Sequence, residues 1–247
     1  MICAVIVAGG SGSRMKSVVR KQYLNLSGVP IVAHTLMAFD RHPDLDKMVL
    51  VVPEDDLAWC RASMLAPLSL VHDVQLVAGG RRRQDSVRNG LAAVSDSDGT
   101  VMIHDGVRPF VRLSLMNALL AGITVSGGCI PGIPATDTVK QVDANGTIVR
   151  TLNRQQICLA QTPQTFSLSL IRGAHQLAGQ RGFSATDDAS IAEFAGETVT
   201  VVPGDPDNIK ITTPEDLLIA KAILARWRPT DAAQPIKKKG LAKKNQL

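Results

Sequence analysis

The first 26 residues constrain the fold more than any other part of the chain, because an apolar run leads directly into a glycine-rich turn. Residues 2–8 are apolar and rich in β-branched side chains, which is typical of a strand buried in a parallel sheet. Gly9, Gly10 and Gly12 follow, and glycines allow backbone N–H groups to approach a phosphate closely. This stretch therefore predicts an α/β protein whose first strand ends at an anion-binding turn.

Positive charge in the same stretch indicates what kind of anion is bound. Arg14, Lys16, Arg20 and Lys21 lie within or just after the turn, whereas the first carboxylate of the chain is Asp40. A polyphosphate would balance such a cluster of cations, and a solvated basic surface is the alternative explanation. The charge pattern favours a nucleotide ligand without requiring one.

Two common nucleotide-binding motifs are absent from this turn. The dinucleotide fingerprint G-x-G-x-x-G needs a third glycine at the position of Met15. The P-loop motif needs a second glycine five residues after the first, but Arg14 and Met15 stand five residues beyond Gly9 and Gly10. These differences disfavour a nicotinamide-dependent oxidoreductase and a Walker-type NTPase. The spacing of Arg14 and Lys21 around the turn suits nucleotidyl transfer instead.

Strand and helix patterns alternate along most of the chain. Five further apolar runs predict strands, at 48–52, 74–77, 100–103, 129–131 and 199–202. A strand, a helix and a second strand at such spacing form a parallel pair with a right-handed crossover. We therefore expect an α/β fold with a Rossmann-like, mostly parallel sheet flanked by helices, in one domain over residues 1–229.

A hairpin signal interrupts this pattern. Two extended runs, 136–142 and 147–152, are joined by Asn145-Gly146, a dipeptide typical of two-residue hairpin turns. We expect a protruding arm over about residues 136–154. A long isolated hairpin is only marginally stable in water, so the arm is predicted to pack on a second copy of the chain in a homodimer.

The predicted turn also fixes the register of the arm. If Asn145 and Gly146 are its central residues, the pairs at the base of the arm are Asp137 with Arg154 and Thr138 with Asn153.

Polar residues follow two of the predicted strand ends. Asp105 and Arg108 come after strand 100–103, where they suit a metal or phosphate contact or could pair with each other. Residues 84–86 begin a helix after a glycine pair, where Asp85 or Ser86 could meet an electronegative ligand or cap the helix.

Later segments are predicted from their local chemistry. Residues 57–65 are expected to be helical, and residues 160–166 are expected to form a polar turn that leads into a helix over about 169–177. Thr186 is expected to cap the following helix, and Thr213 the last helix, which has proline at its first position.

Charge is concentrated at the end of the chain. Residues 234–247 carry five lysines and no acid, so the net charge of +5 lies entirely in this segment. We expect a Lys-rich disordered tail over residues 230–247, with weak attraction to polyanions as the alternative. Aromatic residues make up 3% of the chain, which disfavours stacking on single-stranded nucleic acid.

Cysteine spacing and hydropathy suggest the cellular setting. The four cysteines, Cys3, Cys60, Cys129 and Cys158, form no C-x-x-C pair, so we expect reduced, buried thiols rather than zinc ligands or disulfides. No apolar run approaches the length of a membrane span, and the N-terminus lacks the pattern of a signal peptide. We expect a cytoplasmic protein that binds neither membrane nor specific nucleic acid.

Seven sequence blocks, in order over nearly the whole chain, resemble the 2-C-methyl-D-erythritol 4-phosphate cytidylyltransferases of the non-mevalonate isoprenoid pathway. The blocks are AGGSGSRM with KQYL, GG with DSV, HDGVRPF, ATDTVK, NR before AQTPQTF, TDDAS, and NIKITTPEDL. The resemblance implies transfer of a cytidylyl group from CTP to the sugar-alcohol phosphate, with release of pyrophosphate and with Mg²⁺ or another divalent cation as cofactor.

The resemblance also implies roles for individual residues. The CTP-binding residues would be Ala8, Gly9, Gly10, Gly12, Gly80, Ser86 and Asp105. The catalytic residues, facing the phosphates, would be Arg14, Lys21 and Lys210. The second-substrate residues would be Asp105, Arg108, Thr138, Arg154, Thr162 and Thr186, with Thr138 and Arg154 supplied by the arm of a second subunit. Asp105 would also be the metal ligand.

Three positions depart from the family pattern. Arg20 stands where a proline commonly precedes the loop lysine, Arg81 where an acid is frequent, and Asn153 where an aspartate is common. We expect Arg20 to leave the loop less rigid and Asn153 to weaken a pairing with Arg154.

Three other functions compete with this interpretation. The nearest is a ribitol 5-phosphate cytidylyltransferase, which shares fold, nucleotide and reaction, although the block 151–154 favours the erythritol enzyme. A nucleotide-binding oxidoreductase is more distant. A nucleic-acid-binding module that uses the lysine tail would show steeply salt-dependent binding.

Overall fold

The computed structural model describes residues 1–10 and 20–227. Its strands are β1 (Ile2–Val7), β2 (Asn25–Leu26), β3 (Val29–Pro30), β4 (Lys47–Val52), β5 (Val74–Ala78), β6 (Thr100–Asp105), β7 (Gly128–Pro134), β8 (Lys140–Val142), β9 (Ile148–Thr151), β10 (Cys158–Ala160), β11 (Gln164–Ser167) and β12 (Val199–Pro203). Its α-helices are α1 (Ile31–Phe39), α2 (Leu57–Trp59), α3 (Arg83–Ala92), α4 (Leu113–Ser126), α5 (Leu168–Gln180), α6 (Asp188–Phe194) and α7 (Pro214–Arg226). Short 3₁₀ turns cover Lys21–Tyr23, Glu54–Asp56 and Arg154–Gln156, and a π-helical turn covers Cys60–Leu65.

Eight strands form one mixed, mostly parallel sheet in the order β10-β7-β11-β6-β1-β4-β5, with β12 beside β7. β1 lies between β4 and β6 and is parallel to both, and β5 extends the parallel part beyond β4. β11 is antiparallel to β6 and β7, so residues 160–166, predicted as a polar turn, contribute to an interior strand. The predicted Rossmann-like architecture is confirmed, while β10 and β11 were missed.

The sheet is covered by apolar layers on both faces. On β1, Ala4 and Ile6 pack in the layer that holds α1 and α4, whereas Cys3 and Val5 pack with α3 and α5. This alternation follows from the two-residue period of a strand. Gly90 lets α3 approach the sheet, because a Cβ there would lie only 2.5 Å from Cγ1 of Val5.

β8 and β9 form the predicted arm, but the turn between them differs from the prediction. The Gly146 N–H donates to the carbonyl of Asp143 at 3.1 Å, and Gly146 has φ +82° whereas Asn145 has no positive φ. The connection is a type I turn followed by a left-handed glycine, because a two-residue type I′ turn would need positive φ at both central residues.

Along the arm, the predicted register holds only in the middle. Lys140 faces Thr151 as predicted, because a bulge at residues 141–142 compensates for the different turn. Toward the base, Arg154 enters a 3₁₀ turn and its guanidinium donates to the Thr136 carbonyl at 2.6 Å. The two ladder pairs predicted at the base are therefore wrong: Asp137 with Arg154, and Thr138 with Asn153.

The predicted starts of two helices are corrected by hydrogen bonds. Asp187, and not Thr186, caps α6, because its carboxylate accepts the N–H of Ser190 at 3.0 Å. At α3 the N-cap position is Arg82, whose backbone N–H donates to the Asp85 carboxylate at 3.2 Å, so neither predicted residue is the N-cap. A carboxylate three residues into the helix acts here as the return half of a capping box.

All four cysteines are free, as predicted, but Cys158 is exposed while the other three are buried. Cys158 lies on β10, at the edge of the sheet, which explains its exposure. Within the described residues, no helix combines the length and the apolar character needed to cross a bilayer. The predicted tail over residues 230–247 lies outside the part of the chain that the structure describes.

Candidate active site

Two clefts open where β1 and β6 end side by side at the carboxyl edge of the sheet. The first cleft, of about 370 Å³, is lined by residues that include Ala8, Gly9, Gly10, Lys21, Gly80 and Ser86. The second cleft, of about 220 Å³, is lined by residues that include Arg108, Gln161, Thr162, Gln164, Thr186 and Asp187. Arg83, Asp105 and Lys210 line both clefts, which therefore adjoin.

Asp105 lies at the junction of the clefts and is surrounded by cations. Its Oδ1 lies 3.1 Å from Nε of Arg83, and its Oδ2 lies 2.8 Å from Nζ of Lys210 and 3.6 Å from Nε of Arg108. Burial disfavours the charged carboxylate, but the three cations outweigh burial and hold the pKa of Asp105 far below its ordinary value. Asp105 is therefore ionised, and it fixes three basic side chains around one point.

Arg83 is held from behind by a second buried carboxylate. Its Nη1 lies 2.8 Å from Oδ2 of Asp188, which is fully buried, and the other oxygen of Asp188 lies 3.1 Å from Nε2 of His175. Burial again raises the pKa of the Asp188 carboxyl, but Arg83 and His175 outweigh it and keep that pKa below the ordinary value. The guanidinium of Arg83 is thus fixed between Asp105 and Asp188.

A buried hydrogen-bond chain orients Thr162. Its hydroxyl accepts the backbone N–H of Asp105 at 3.1 Å and lies 3.0 Å from Nδ1 of His104. Nε2 of His104 lies 2.9 Å from the carbonyl of Arg108, which can only accept, so the Thr162 hydroxyl donates to Nδ1. Burial lowers the pKa of His104 to about 4, which agrees with a neutral ring. The hydroxyl proton of Thr162 is therefore engaged in a hydrogen bond to His104.

Ser86 shapes the glycine turn at Gly80, and both residues line the first cleft. Its hydroxyl accepts the Gly80 N–H at 3.0 Å and lies 3.2 Å from the carbonyl of Arg82. The turn has no room for larger residues, because a Cβ on Gly80 would lie 2.4 Å from Cβ of Asp85. Ser86 and Gly80 thus hold the backbone of this turn against the cleft.

The turn that carries Lys21 also lines the first cleft. Gln22 is 1% exposed, and its Nε2 donates to the carbonyl of Ala8 at 2.7 Å and contacts that of Gly10 at 3.3 Å. These bonds tie the 3₁₀ turn Lys21–Tyr23 to the end of β1. Lys21 therefore lies at the cleft beside the first glycines.

The predicted site residues divide into three groups. The structure gathers most of them around the two clefts: Ala8, Gly9, Gly10, Lys21, Gly80, Ser86, Asp105, Arg108, Thr162, Thr186 and Lys210. Thr138 and Arg154 are exposed on the arm and do not line either cleft. Gly12 and Arg14 lie outside the described residues.

Sequence reasoning missed several residues that build the site. Arg83, Asp188 and Asn208 were given no role. The side-chain amide of Asn208 donates to the backbone carbonyl of Thr162 at 2.7 Å, and the backbone carbonyl of Asn208 accepts from the Arg108 guanidinium at 2.8 Å. Arg83 belongs to a run of three arginines, and this run was the sequence signal that could have indicated a role for it. Asp188 looked like an ordinary first-turn acid, because nothing in its neighbourhood reveals that it is buried.

The side chains of the clefts could bind a divalent cation only if a bound substrate supplied further ligand atoms. Among the described residues, no group of three His, Cys, Asp or Glu side chains could hold a metal ion alone. Asp105 is the only carboxylate among the described residues that line the first cleft, and its Oδ1 retains a lone pair beyond the bond from Arg83. Mg²⁺ is commonly bound by one or two carboxylates together with substrate phosphates. Asp105 fits that pattern.

Comparisons with known proteins show which proteins this chain is similar to. The family model for 2-C-methyl-D-erythritol 4-phosphate cytidylyltransferase matches residues 2–226. A protein of that name from Syntrophus aciditrophicus is 46% identical over 225 residues, which cover 91% of this chain and 96% of the relative. Another, from Geotalea uraniireducens, is 46% identical over 225 residues, which cover 90% and 96%.

Solved structures show the same similarity in three dimensions. The 4-diphosphocytidyl-2C-methyl-D-erythritol synthase from Anaerococcus prevotii matches with a TM-score of 0.80 at 32% identity, covering 91% of this chain and 96% of that one. The 2-C-methyl-D-erythritol 4-phosphate cytidylyltransferase from Francisella tularensis matches with a TM-score of 0.76 at 32% identity, covering 90% and 99%. Neither the ribitol enzyme nor an oxidoreductase is favoured by these matches.

Proposed function

The chain belongs to the 2-C-methyl-D-erythritol 4-phosphate cytidylyltransferase family, the CTP-dependent nucleotidyltransferases of isoprenoid biosynthesis, and we propose that its two adjoining clefts divide the two substrates. The first cleft takes CTP and the second takes the phosphorylated sugar alcohol. The observation that carries this proposal is that Arg83, Asp105 and Lys210 line both clefts. The reacting phosphates would meet at this junction, where the cations are concentrated.

The residues of the first cleft suit a nucleoside triphosphate. The backbone after β1 and the glycine turn held by Ser86 offer N–H groups and close approach, which a phosphate chain and a planar base require. Lys21 would face the phosphates, and Gly80 with Ser86 would border the cytosine. Arg14, which lies outside the described residues, is proposed to complete the phosphate contacts.

The second cleft suits a smaller anion with hydroxyl groups. Arg108 supplies a charge for the phosphate, and the exposed Thr186 offers a hydroxyl at the rim. Because the Thr162 hydroxyl donates its hydrogen bond to His104, it would contact the substrate only as an acceptor or through its backbone. Its first task is to hold Asp105 in place.

The reaction needs orientation and charge stabilisation more than it needs a general base. A phosphate monoester oxygen is already ionised at neutral pH, so it can attack the α-phosphorus of CTP in line while the bond to the pyrophosphate oxygen breaks. Lys21 and Lys210 would stabilise the negative charge on the equatorial and leaving oxygens. No proton has to move to a side chain in this step.

A divalent cation is proposed to bind with Asp105 as its protein ligand. When bound, such an ion neutralises phosphate charge. The residues around it have a second task. Arg83 and Arg108 hold the Asp105 carboxylate ionised and oriented, so that the ligand is ready before the nucleotide arrives.

A homodimer through the arm is also proposed. Val142, Ile148 and Val149 are 53%, 59% and 60% exposed on an arm that has only two strands. Thr138 and Arg154 could then reach the second cleft of the partner subunit, since they line neither cleft of their own chain. A monomeric mass by light scattering, with full activity, would contradict this arrangement.

We propose that the enzyme works in the cytoplasm, because its nucleotide substrate is made and used there.

The acceptor is tested by pyrophosphate release. With CTP and Mg²⁺, we expect release with 2-C-methyl-D-erythritol 4-phosphate and little with ribitol 5-phosphate at equal concentration. Faster turnover with ribitol 5-phosphate would overturn the assignment of the acceptor.

The division of the clefts is tested by two variants with opposite expected effects. Ser86→Ala should raise KM for CTP, because it loosens the turn at Gly80, and should leave KM for the sugar-alcohol phosphate unchanged. Thr186→Ala should do the reverse, and its exposed position makes a folding defect unexpected. Equal changes in both KM values for both variants would refute the division.

A further inference from the structure

The 3₁₀ turn Lys21–Tyr23 points three consecutive side chains in three directions, because a 3₁₀ helix has three residues per turn. Lys21 lines the first cleft, and Gln22 is buried against the end of β1. Tyr23 faces away from both, toward the 3₁₀ turn Glu54–Asp56 that follows β4. The direction of Lys21 is therefore tied to the contacts that its two neighbours make.

The contacts of Tyr23 form a compact polar and aromatic cluster. Its hydroxyl donates to Oδ2 of Asp56 at 2.9 Å and accepts from Sγ of Cys60 at 3.4 Å. Its ring meets the Trp59 ring edge-on, with centroids 4.8 Å apart. Nη1 of Arg20 lies 3.3 Å from the same oxygen of Asp56. We name these five residues the Tyr23 anchor.

We propose that the Tyr23 anchor positions Lys21, and that Asp56 and Tyr23 are positioning residues for cytidylyl transfer. Gln22 holds one side of the turn and the Tyr23 anchor holds the other, so the turn cannot rotate about its axis. Neither Asp56 nor Tyr23 lines a cleft, and so they act through Lys21. The inference rests on the role proposed above for Lys21.

Arg20 links the anchor directly to Lys21, which follows it in the chain. Its φ of −61° lies in the range that proline imposes. The ion pair with Asp56 restrains the Arg20 side chain, next to Lys21 in the chain. The expectation that Arg20 leaves the loop less rigid stays a prediction, because residues 11–19 lie outside the part of the chain that the structure describes.

The Asp56→Ala variant tests the proposal, because it removes the acceptor shared by Tyr23 and Arg20. We expect kcat to fall about tenfold, since small misplacements of a catalytic group reduce rates strongly. Tyr23→Phe keeps the ring on Trp59 and should cause a smaller fall in kcat. Asp55→Ala is the matched control, because Asp55 is exposed in the same 3₁₀ turn and its loss changes the charge equally.

Rescue distinguishes positioning from general stability. In the Asp56→Ala background, Arg20→Pro should restore kcat to within about threefold of the wild type, because proline fixes the φ that Arg20 already has. All rates are measured well below the unfolding midpoint of each variant, and the midpoints are recorded by thermal denaturation. Failure of this rescue would overturn the proposal, as would a fall in kcat that Asp55→Ala matches.

Lys21→Ala is assayed in the same series, so that two failures can be told apart. If Lys21→Ala loses activity while Asp56→Ala keeps normal kcat, the anchor has no positioning role and the inference is wrong. If Lys21→Ala itself turns over normally, the proposed role of Lys21 is wrong and the inference falls with it.

Discussion

The clefts and the arm are built by opposite means. At the clefts, charged side chains from distant parts of the sequence hold one another in place: Arg83 joins Asp105 to Asp188, and both carboxylates are buried. On the arm, the contacts are local ladder hydrogen bonds between two strands, and residues such as Val149 stay exposed. The comparison teaches that charged side chains of one chain hold one another in place at the clefts, whereas the arm leaves apolar side chains exposed, as expected if it packs on a second copy of the chain.

The largest expected effect is a loss of kcat when a basic residue proposed to act at the clefts is removed. Lys21→Ala or Arg14→Ala should lower kcat by ~10² or more, the scale for removing one electrostatic contact to a transition state. Lys140→Ala removes a lysine of the arm, whose Nζ lies 2.6 Å from the Thr151 hydroxyl, and should leave kcat near normal. Pyrophosphate release at saturating substrates measures all three. Near-normal turnover of Lys21→Ala would refute its catalytic role.

The next effect tests whether the arm acts in a second subunit. Arg154→Ala should raise KM for the sugar-alcohol phosphate about tenfold, as expected for one charge-assisted hydrogen bond. The Lys21→Ala and Arg154→Ala proteins are then unfolded together, refolded and assayed.

Mixed dimers should regain activity, because one of their two sites combines an intact Lys21 with an intact Arg154. At random mixing, about a quarter of all sites would be intact. If the two residues act within one chain, no intact site forms, and the absence of recovered activity would contradict the proposed arm contact.

The smallest expected effect is a change in stability with pH, and it tests whether the buried charge of Asp188 stabilises the fold around the clefts. The folded-state pKa of Asp188 lies below its ordinary value, so the unfolded chain takes up the proton first as the pH falls. Its stabilisation is complete above the unfolded pKa of about 3.9 and is lost below it, by at most ~1.4 kcal/mol per pH unit.

Urea unfolding of the wild type and of Asp188→Asn between pH 7 and 3 measures this contribution. The difference in stability between the two proteins should shrink as the pH falls below about 4. Asp40→Asn is the control for a paired carboxylate away from the clefts. Asp40 lies 3.0 Å from His72, just before β5, at the edge of the sheet opposite the clefts. A pH-independent difference for Asp188→Asn would show that its charge does not stabilise the fold.

Much of the fold could be predicted because its signals are local. The apolar run at β1 and the capped, proline-initiated start of α7 each depend on neighbouring residues, and both are found where predicted. β11 was missed for the complementary reason. Its residues Gln164 and Thr165 are polar yet almost fully buried, and Gln164 accepts the N–H groups of Asp188 and Ala189. A polar strand looks like a turn until its distant partners are known.

The sequence by itself determined the α/β class of the fold, because strands, helices and turns are marked by residue type and by short-range spacing. Its resemblance to a known family indicated most of the residues that line the clefts. Only the tertiary structure decided which charges are paired. In the folded chain, Asp188 pairs with Arg83, and the Thr162 hydroxyl donates to His104. The Tyr23 hydroxyl donates to Asp56, next to the turn that carries Lys21. These choices depend on burial and on contacts between residues far apart in the chain, and no local pattern encodes them.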